Sequence, residues 1–433
     1  MSDGARKRRG RGAGRLALAA LAVVLTGCTT VLVRSPVPAE LIGSARPYGI
    51  ESSLIRAWGD TIGDAGIDYV VQARAAALRR VFGARIARGQ PLRSTALALS
   101  GGGADGAFGA GLLAGWTARG DRPEFQLVSG ISTGAIIGFF AFLGPAYDDV
   151  LREIYTTHVT RDLLTPTILT GLLRGTALSD TSGFRNLINT HVDRAALRAV
   201  ARAHAEGRLL FIGTTNLDAT RPVIWNIGEI AASGHPAALN LVRDVIQASS
   251  AIPGAFPPVL IPVKAGGRRY DEMHVDGGAT RQVMLFSPEL PVRRIDEALG
   301  VEVDRTLYVI VNNRLIRPYR PVAPRLRPIA LTSISSLIAG SGTGDVFQLF
   351  AVAERDRVPI RITWIPESFD LQPREAFDRR YMRALYDLGF ETGRTGVDWR
   401  RRPPHFPSRP PSAPEPRQAG PSAGGPETAV SGP

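Results

Sequence analysis

Apolar side chains along the chain fall into short runs separated by longer stretches in which they recur at helical spacing. Residues 95–100, 125–128, 209–216, 222–226, 305–312 and 360–365 read as strands, buried on both faces where the run is continuous. Residues 68–87 read as a helix, with Val70, Val71, Leu78, Val81, Phe82 and Ile86 on one side and Arg74, Arg79, Arg80 and Arg85 on others. Further helices are predicted from the glycine run at 101–103 through Trp116, at 135–141, in segments between 147 and 200, and at 237–248, 328–338, 345–355 and 373–386. A turn falls at 218–220 and a loop at 249–258. Strands alternating with helices predict a layered α/β fold.

The ends of the chain follow a different pattern. Within residues 1–27, six basic side chains and one acid precede an apolar run from Leu16 to Leu25, too short to span a bilayer and typical of a cleavable signal. The run closes on Leu25-Thr26-Gly27-Cys28, which resembles the bacterial lipoprotein lipobox. That resemblance implies diacylglycerol on the thiol of Cys28, the single cysteine, and a mature chain anchored in the cell envelope. Thr29 is not the aspartate associated with inner-membrane retention, so the implied address is the outer membrane. Residues 28–67, with several Pro, Gly and Ser, are expected to form a tether. Residues 401–433 contain ten prolines and almost no large apolar side chains, the composition of a disordered tail.

Composition sets broad limits. The 433 residues are 44% apolar and 21% charged, a globular balance. Formal net charge is +13; the leader accounts for five of these charges, which leaves +8 on the rest. No nucleic-acid motif accompanies this charge, and an anionic lipid surface suits it better than a polynucleotide. One cysteine excludes an intramolecular disulfide. No spacing among His158, His191, His204 and His235 suggests a metal, and no cofactor is expected.

Candidate chemistry lies in three glycine-rich stretches. Gly130-Ile131-Ser132-Thr133-Gly134 sits between a strand and an apolar helix, which is the arrangement of a nucleophile elbow. The tight turn needs small neighbours and leaves the Ser132 hydroxyl at a helix N-terminus, where developing negative charge is favoured. Gly101-Gly102-Gly103-Ala104 ends an earlier strand and can turn backbone N–H groups toward a substrate oxygen. A phosphate loop is the rival for that run, but no Gly-Lys-Ser/Thr ending follows, and Asp105 would repel a phosphate or a dinucleotide. Asp276-Gly277-Gly278 places a carboxylate at a strand end beside room for a hydroxyl, which makes Asp276 a candidate base. An α/β-hydrolase triad would instead use a histidine, with His274 the residue to consider and His405 far out in the tail.

Taken together and in order, these three motifs resemble the patatin-like phospholipase family, with 248–258 similar to the family's loop before its last catalytic strand. The resemblance covers about residues 97–285. It implies a three-layer fold with a central, mainly parallel sheet flanked by helices, a catalytic domain over 68–320 and a helical extension over 321–400. It also implies a calcium-independent lipid acyl hydrolase acting on membrane phospholipid or lysophospholipid. Ser132 would be nucleophile, Asp276 base, and Gly101 to Ala104 the oxyanion hole, with no third catalytic member. Two departures stand out: Asp105 replaces the family's usual Arg or Lys, and Gln282 lies near a frequent asparagine. Acyl transfer through the same acyl-enzyme, and an inactive lipid-binding envelope protein, are the alternatives.

Overall fold

The computed structural model describes residues 34–50, 52–166, 179–317, 319, 321–404, 406 and 432. The signal segment 1–27, Cys28 with its lipobox, His405 and most of the 401–433 tail lie outside the described residues.

A ten-stranded sheet forms the middle layer. Its strands are β1 (Arg46–Pro47), β2 (Arg56–Trp58), β3 (Leu92–Leu99), β4 (Leu127–Ile131), β5 (Leu209–Asn216), β6 (Arg221–Asn226), β7 (Val259–Ala265), β8 (Arg268–Asp276), β9 (Val303–Val311) and β10 (Ile360–Trp364). They lie in the order β1-β7-β8-β5-β4-β3-β9-β10, with β6 paired to β5 and β2 to β6. The run β10-β9-β3-β4-β5 is parallel throughout. The remaining pairings are antiparallel, so the sheet is mixed. Helical crossovers impose the parallel half, whereas the short connections at 217–220 and 266–267 allow only hairpins.

Among the described residues the helices longer than one turn are α1 (Gly63–Ala87), α2 (Gly106–Arg119), α3 (Thr133–Leu143), α4 (Asp148–Thr156), α5 (Ser182–His191), α6 (Arg194–Ala205), α7 (Ile227–Ala232), α8 (Ala238–Ser249), α9 (Arg293–Leu299), α10 (Leu326–Asp356) and α11 (Arg379–Thr395). Side-chain alternation along the strands sorts them into two layers. Leu97, Leu99 and Ile310 face α2, α3 and α11 through Phe108, Phe139 and Leu385. Ala98, Leu307 and Val309 face the other way, onto Val346 and Phe350 of α10. Helices α1 and α9 pack on each other through Ile67, Val71, Leu78, Ile295 and Leu299.

Three expectations are corrected. The supposed tether is docked on the domain from Arg34, which pairs with Asp218, and joins the sheet from Arg46: β1 and β2 extend its antiparallel side, Ala45 and Ile55 are buried, and Arg56 forms a buried ion pair with Glu272 of β8. The two helices expected at 328–338 and 345–355 are one, α10, because the glycines at 340, 342 and 344 keep helical geometry. The closing helix begins later than expected and runs to Thr395; Asp378 caps it, accepting the N–H groups of Arg380 and Tyr381.

Helix α11 is no appendage. A Cβ at Gly111 or Gly115 of α2 would fall 2.0 or 1.9 Å from the carbonyl oxygens of Tyr386 and Phe390, and one at Gly389 or Gly393 of α11 would fall 2.2 or 2.3 Å from those of Phe108 and Leu112. The two backbones touch through a reciprocal pair of glycine steps four residues apart. Among the described residues no helix is long and apolar enough to cross a membrane.

Candidate active site

The register of β5 explains how two distant residues meet. One edge of β5 is taken by β6 over Phe211–Asn216. Its other edge is shared: β4 pairs along it as far as Ile131 opposite Gly213, and β8 pairs from the opposite direction as far as Asp276 opposite Thr214. The two strands therefore meet head-on, and the residue after Ile131 is brought against Asp276. Ser132 Oγ donates a 2.7 Å hydrogen bond to Asp276 Oδ2.

The elbow is built as its glycines require. Ser132 has φ 56° and ψ −125°, a left-handed conformation that a serine adopts only where the surroundings enforce it. A Cβ at Gly130 would lie 2.0 Å from the Gly134 carbonyl oxygen, and one at Gly134 would lie 2.5 Å from that of Leu99. The turn is fastened from below: the Ser132 N–H donates to Ser249 Oγ at 2.9 Å, and Ser249 Oγ donates to the Gly213 carbonyl at 2.7 Å. That N–H is thereby held away from the oxyanion side.

Asp276 is 5% exposed and Ser132 6%. Burial raises the Asp276 carboxyl, and its hydrogen bonds from Ser132 and from the Gly278 N–H at 2.7 Å offset only part of that, leaving it at about 6. A carboxylate with that pKa is a competent base near neutrality, which an exposed aspartate is not. Gly278 has to be small, since a Cβ there would lie 2.9 Å from Asp276 Oδ1 and 2.4 Å from Gln282 Nε2.

The glycine loop after β3 is held by side chains that the sequence reading left without a role. Asn312 donates to the Ser100 carbonyl (2.9 Å) and Asn313 to the Gly101 carbonyl (2.9 Å). Gly102 passes so close to Asn312 that a Cβ would lie 2.1 Å from its carbonyl oxygen. Of the four residues expected to form the oxyanion hole, Gly101 is displaced from that role, because its N–H donates to the Gln282 carbonyl at 2.9 Å. Gly102, Gly103 and Ala104 remain as candidates, just before α2. Gln282 is a clasp: its own N–H donates to Asp345 (2.6 Å) and its side chain to the Gly278 carbonyl (3.0 Å). It thus ties the oxyanion loop, the Asp-Gly-Gly turn and α10 together. Neither the asparagines nor Asp345 belongs to a local motif, so only a pattern across strand ends could have shown them.

Asp105 is not a stray negative charge. It accepts a 2.5 Å hydrogen bond from the Tyr381 hydroxyl of α11. Burial raises its pKa, while Tyr381, Arg314 and Arg317 pull the other way. Positive charge thus returns to this corner from the segment after β9.

His274 plays no part in the dyad. It is fully buried, with Nδ1 2.9 Å from Thr214 Oγ1 and Nε2 3.1 Å from Glu272 Oε2, and burial lowers its pKa. Burial works to raise Glu272, but hydrogen bonds from Arg56 and His274 outweigh it and hold the carboxyl at about 2. Arg56, Glu272, His274, Thr214 and Trp225 form a closed network beneath the antiparallel strands. Among the described residues no group of three or more His, Cys, Asp or Glu could hold a metal ion.

Residues 97–287 match the family model described as patatin-like phospholipase. That segment, which contains the glycine loop, the elbow and Asp276, is a patatin-like phospholipase domain. Among solved structures, VipD from Legionella pneumophila is similar at 13% identity and a TM-score of 0.32, over 71% of this chain and 67% of that one. Human GIVD cytosolic phospholipase A2 is similar at 10% identity and a TM-score of 0.31, over 75% of this chain and 56% of that one. The chain thus spans little more than half the length of the human protein. No curated protein gives a significant match.

Proposed function

We propose that this protein is an envelope-anchored serine lipid acyl hydrolase working through Ser132 and Asp276. The observation that carries the reading is the 2.7 Å hydrogen bond between Ser132 Oγ, on a strained elbow, and a buried carboxylate of pKa about 6. Ser132 Oγ attacks the acyl carbonyl carbon while its proton passes to Asp276 Oδ2. The carbonyl oxygen, now negative, lies against the N–H groups of Gly102, Gly103 and Ala104. Collapse of the tetrahedral intermediate breaks the ester bond, and Asp276 returns the proton to the departing alcohol. Water then attacks the acyl-enzyme with Asp276 again as base, releasing fatty acid and restoring Ser132.

The substrate in this reading is a membrane phospholipid or lysophospholipid. Attachment through Cys28 to the outer membrane would hold the site at its substrate and raise effective concentration without new contacts. Asp105, the best support for an inactive lipid-binding fold, is held by the Tyr381 hydroxyl and lies within electrostatic reach of Arg314 and Arg317.

The test is labelling with a fluorescent fluorophosphonate together with fatty-acid release from phospholipid vesicles in the absence of calcium. Both are expected in the wild type and absent in Ser132→Ala. Folded wild-type protein that neither labels nor releases fatty acid, yet binds vesicles, would return the reading to an inactive lipid-binding protein.

A further inference from the structure

Helix α1 stands off the sheet and roofs a cavity of about 970 Å³, at the upper end of the size of small-molecule sites. The cavity lies on the sheet face opposite α2. Its walls are largely apolar: Ala73 and Ala77 of α1, Leu127 and Phe211 of the sheet, Met284, and Leu349 of α10. Neither Ser132 nor Asp276 lines it. Met284 and Phe211 pack on Ile131, so its inner end reaches the residue that precedes the nucleophile.

Several arginines line this apolar space, and most are already satisfied. Arg56 pairs with Glu272, Arg208 with Glu124, Arg281 with Asp345 and Arg305 with Asp296. Arg80, at the rim, is exposed to solvent, and Arg74 is the one set inside without a partner among the described residues. It projects from α1 into the cavity beside Arg305, and among the described residues it makes no hydrogen bond or ion pair. Burial and the neighbouring Arg305 bring its pKa down to about 10, so it keeps its charge at neutral pH. An unpaired guanidinium in an apolar enclosure is costly, and an anionic ligand removes that cost with charge-assisted hydrogen bonds.

We infer that this cavity is a second lipid site, which takes a long-chain fatty-acid carboxylate with its head on Arg74 and its acyl chain along Leu127, Phe211 and Met284. The ligand is the acid that the proposed reaction releases, so its role in the reaction rests on that reading, but binding itself does not. A product site separate from the dyad, reached beside the nucleophile strand, would let the protein retain fatty acid or respond to it.

The test uses the full chain carrying Ser132→Ala, with cis-parinaric acid fluorescence as the readout and oleic acid, methyl oleate and lysophosphatidylcholine as competitors. Saturable binding displaced by oleic acid is expected, with methyl oleate and lysophosphatidylcholine at least about tenfold weaker, as the loss of a charge-assisted contact implies. Arg74→Leu should weaken binding by about tenfold or more, Arg74→Lys by less, and Ala77→Trp, which sets an indole in the cavity one helical turn from Arg74, should weaken it by about tenfold or more. Circular dichroism and thermal unfolding establish that each variant is folded; if Arg74→Leu is not, Arg74→Lys and Ala77→Trp decide. Absence of binding, binding unaltered in the folded Arg74 and Ala77 variants, or displacement by methyl oleate as effective as by oleic acid would overturn the inference. Because Ser132→Ala lacks the nucleophile, failure here is separate from failure of the hydrolase reading.

Discussion

In the proposed reaction Asp276 has to be ionised to act and buried to be positioned, and its pKa of about 6 reflects that conflict. Two consequences follow at the scale of the residue. The acid limb of kcat/KM should rise through about pH 6 and level off above it, and Asp276→Asn should lower kcat/KM by about 10²–10⁴-fold, the usual contribution of a positioned base. The second concerns stability. Folding raises this carboxyl from 3.8 to about 6, so the folded protein binds the proton more tightly than the unfolded chain. The stability linked to that proton is fully present below about pH 4 and is lost as pH rises through 6. Asp276→Asn has no such loss, and at pH 8 it should be more stable than the wild type by up to ~3 kcal/mol. Denaturant melts at pH 4 and pH 8 check this: a stability difference that does not grow with pH would mean the carboxyl is not desolvated as described. His274 makes the contrast. Both its ring nitrogens face Thr214 and Glu272, so His274→Gln should cost stability while fluorophosphonate labelling survives.

At the scale of elements, the proposed site depends on α2 starting in the right place, because the candidate oxyanion donors Gly102 to Ala104 lie immediately before it. Helix α11 fixes that start through the glycine steps at 111, 115, 389 and 393 and through the Tyr381–Asp105 hydrogen bond. Gly389→Ala places a Cβ 2.2 Å from the Phe108 carbonyl and must push the helices apart, at a cost of about 1–3 kcal/mol. It should lower kcat as well as the melting temperature. Gly83→Ala in α1 is the control: a Cβ there meets nothing, and alanine is the better helix former, so stability should stay level or rise. Equal behaviour of the two variants would show that the α2–α11 contact does not hold the site. These relations also mark what could be read in advance. The elbow was legible because the two positions that must be small, Gly130 and Gly134, flank the serine within five residues. Five core strands and the hairpin at 217–220 were legible from continuous apolar runs and a polar turn. Strands β1 and β2 were not, since two or three residues among Pro and Gly carry no periodicity and acquire their conformation from β7 and β6. The Gln282–Asp345 clasp and the glycine steps join residues far apart in the chain, and a single sequence holds no trace of such pairings.

At the scale of the whole molecule, the proposed function raises the question of how a buried dyad would meet a lipid that lies in a membrane. Beside the site the chain carries an apolar strip that the core does not use. Leu326 and Leu337 of α10 are 86% and 74% exposed, and Tyr319, Val322 and Ile329 are exposed with them. This strip adjoins the catalytic corner: Arg317 donates to the Ser335 carbonyl and lies within electrostatic reach of Asp105, while Gly342 of the same helix lies against Gln282. Arg317 and Arg325 supply positive charge at its margin, on a chain that is basic overall. Apolar side chains edged by arginine beside the proposed lipid-hydrolysing site suit insertion at an anionic bilayer surface. If α10 docks there, burying two leucines contributes roughly 1.5–3 kcal/mol each. Leu326→Asp combined with Leu337→Asp should therefore reduce fatty-acid release from anionic vesicles by at least about tenfold, while hydrolysis of a short, water-soluble ester stays unchanged. A parallel fall on both substrates would place these residues in the support of the dyad, and no fall on either would remove α10 from the docking surface. The split between the two substrates is what distinguishes contact with the bilayer from damage to the chemistry, since the soluble ester reaches Ser132 without it.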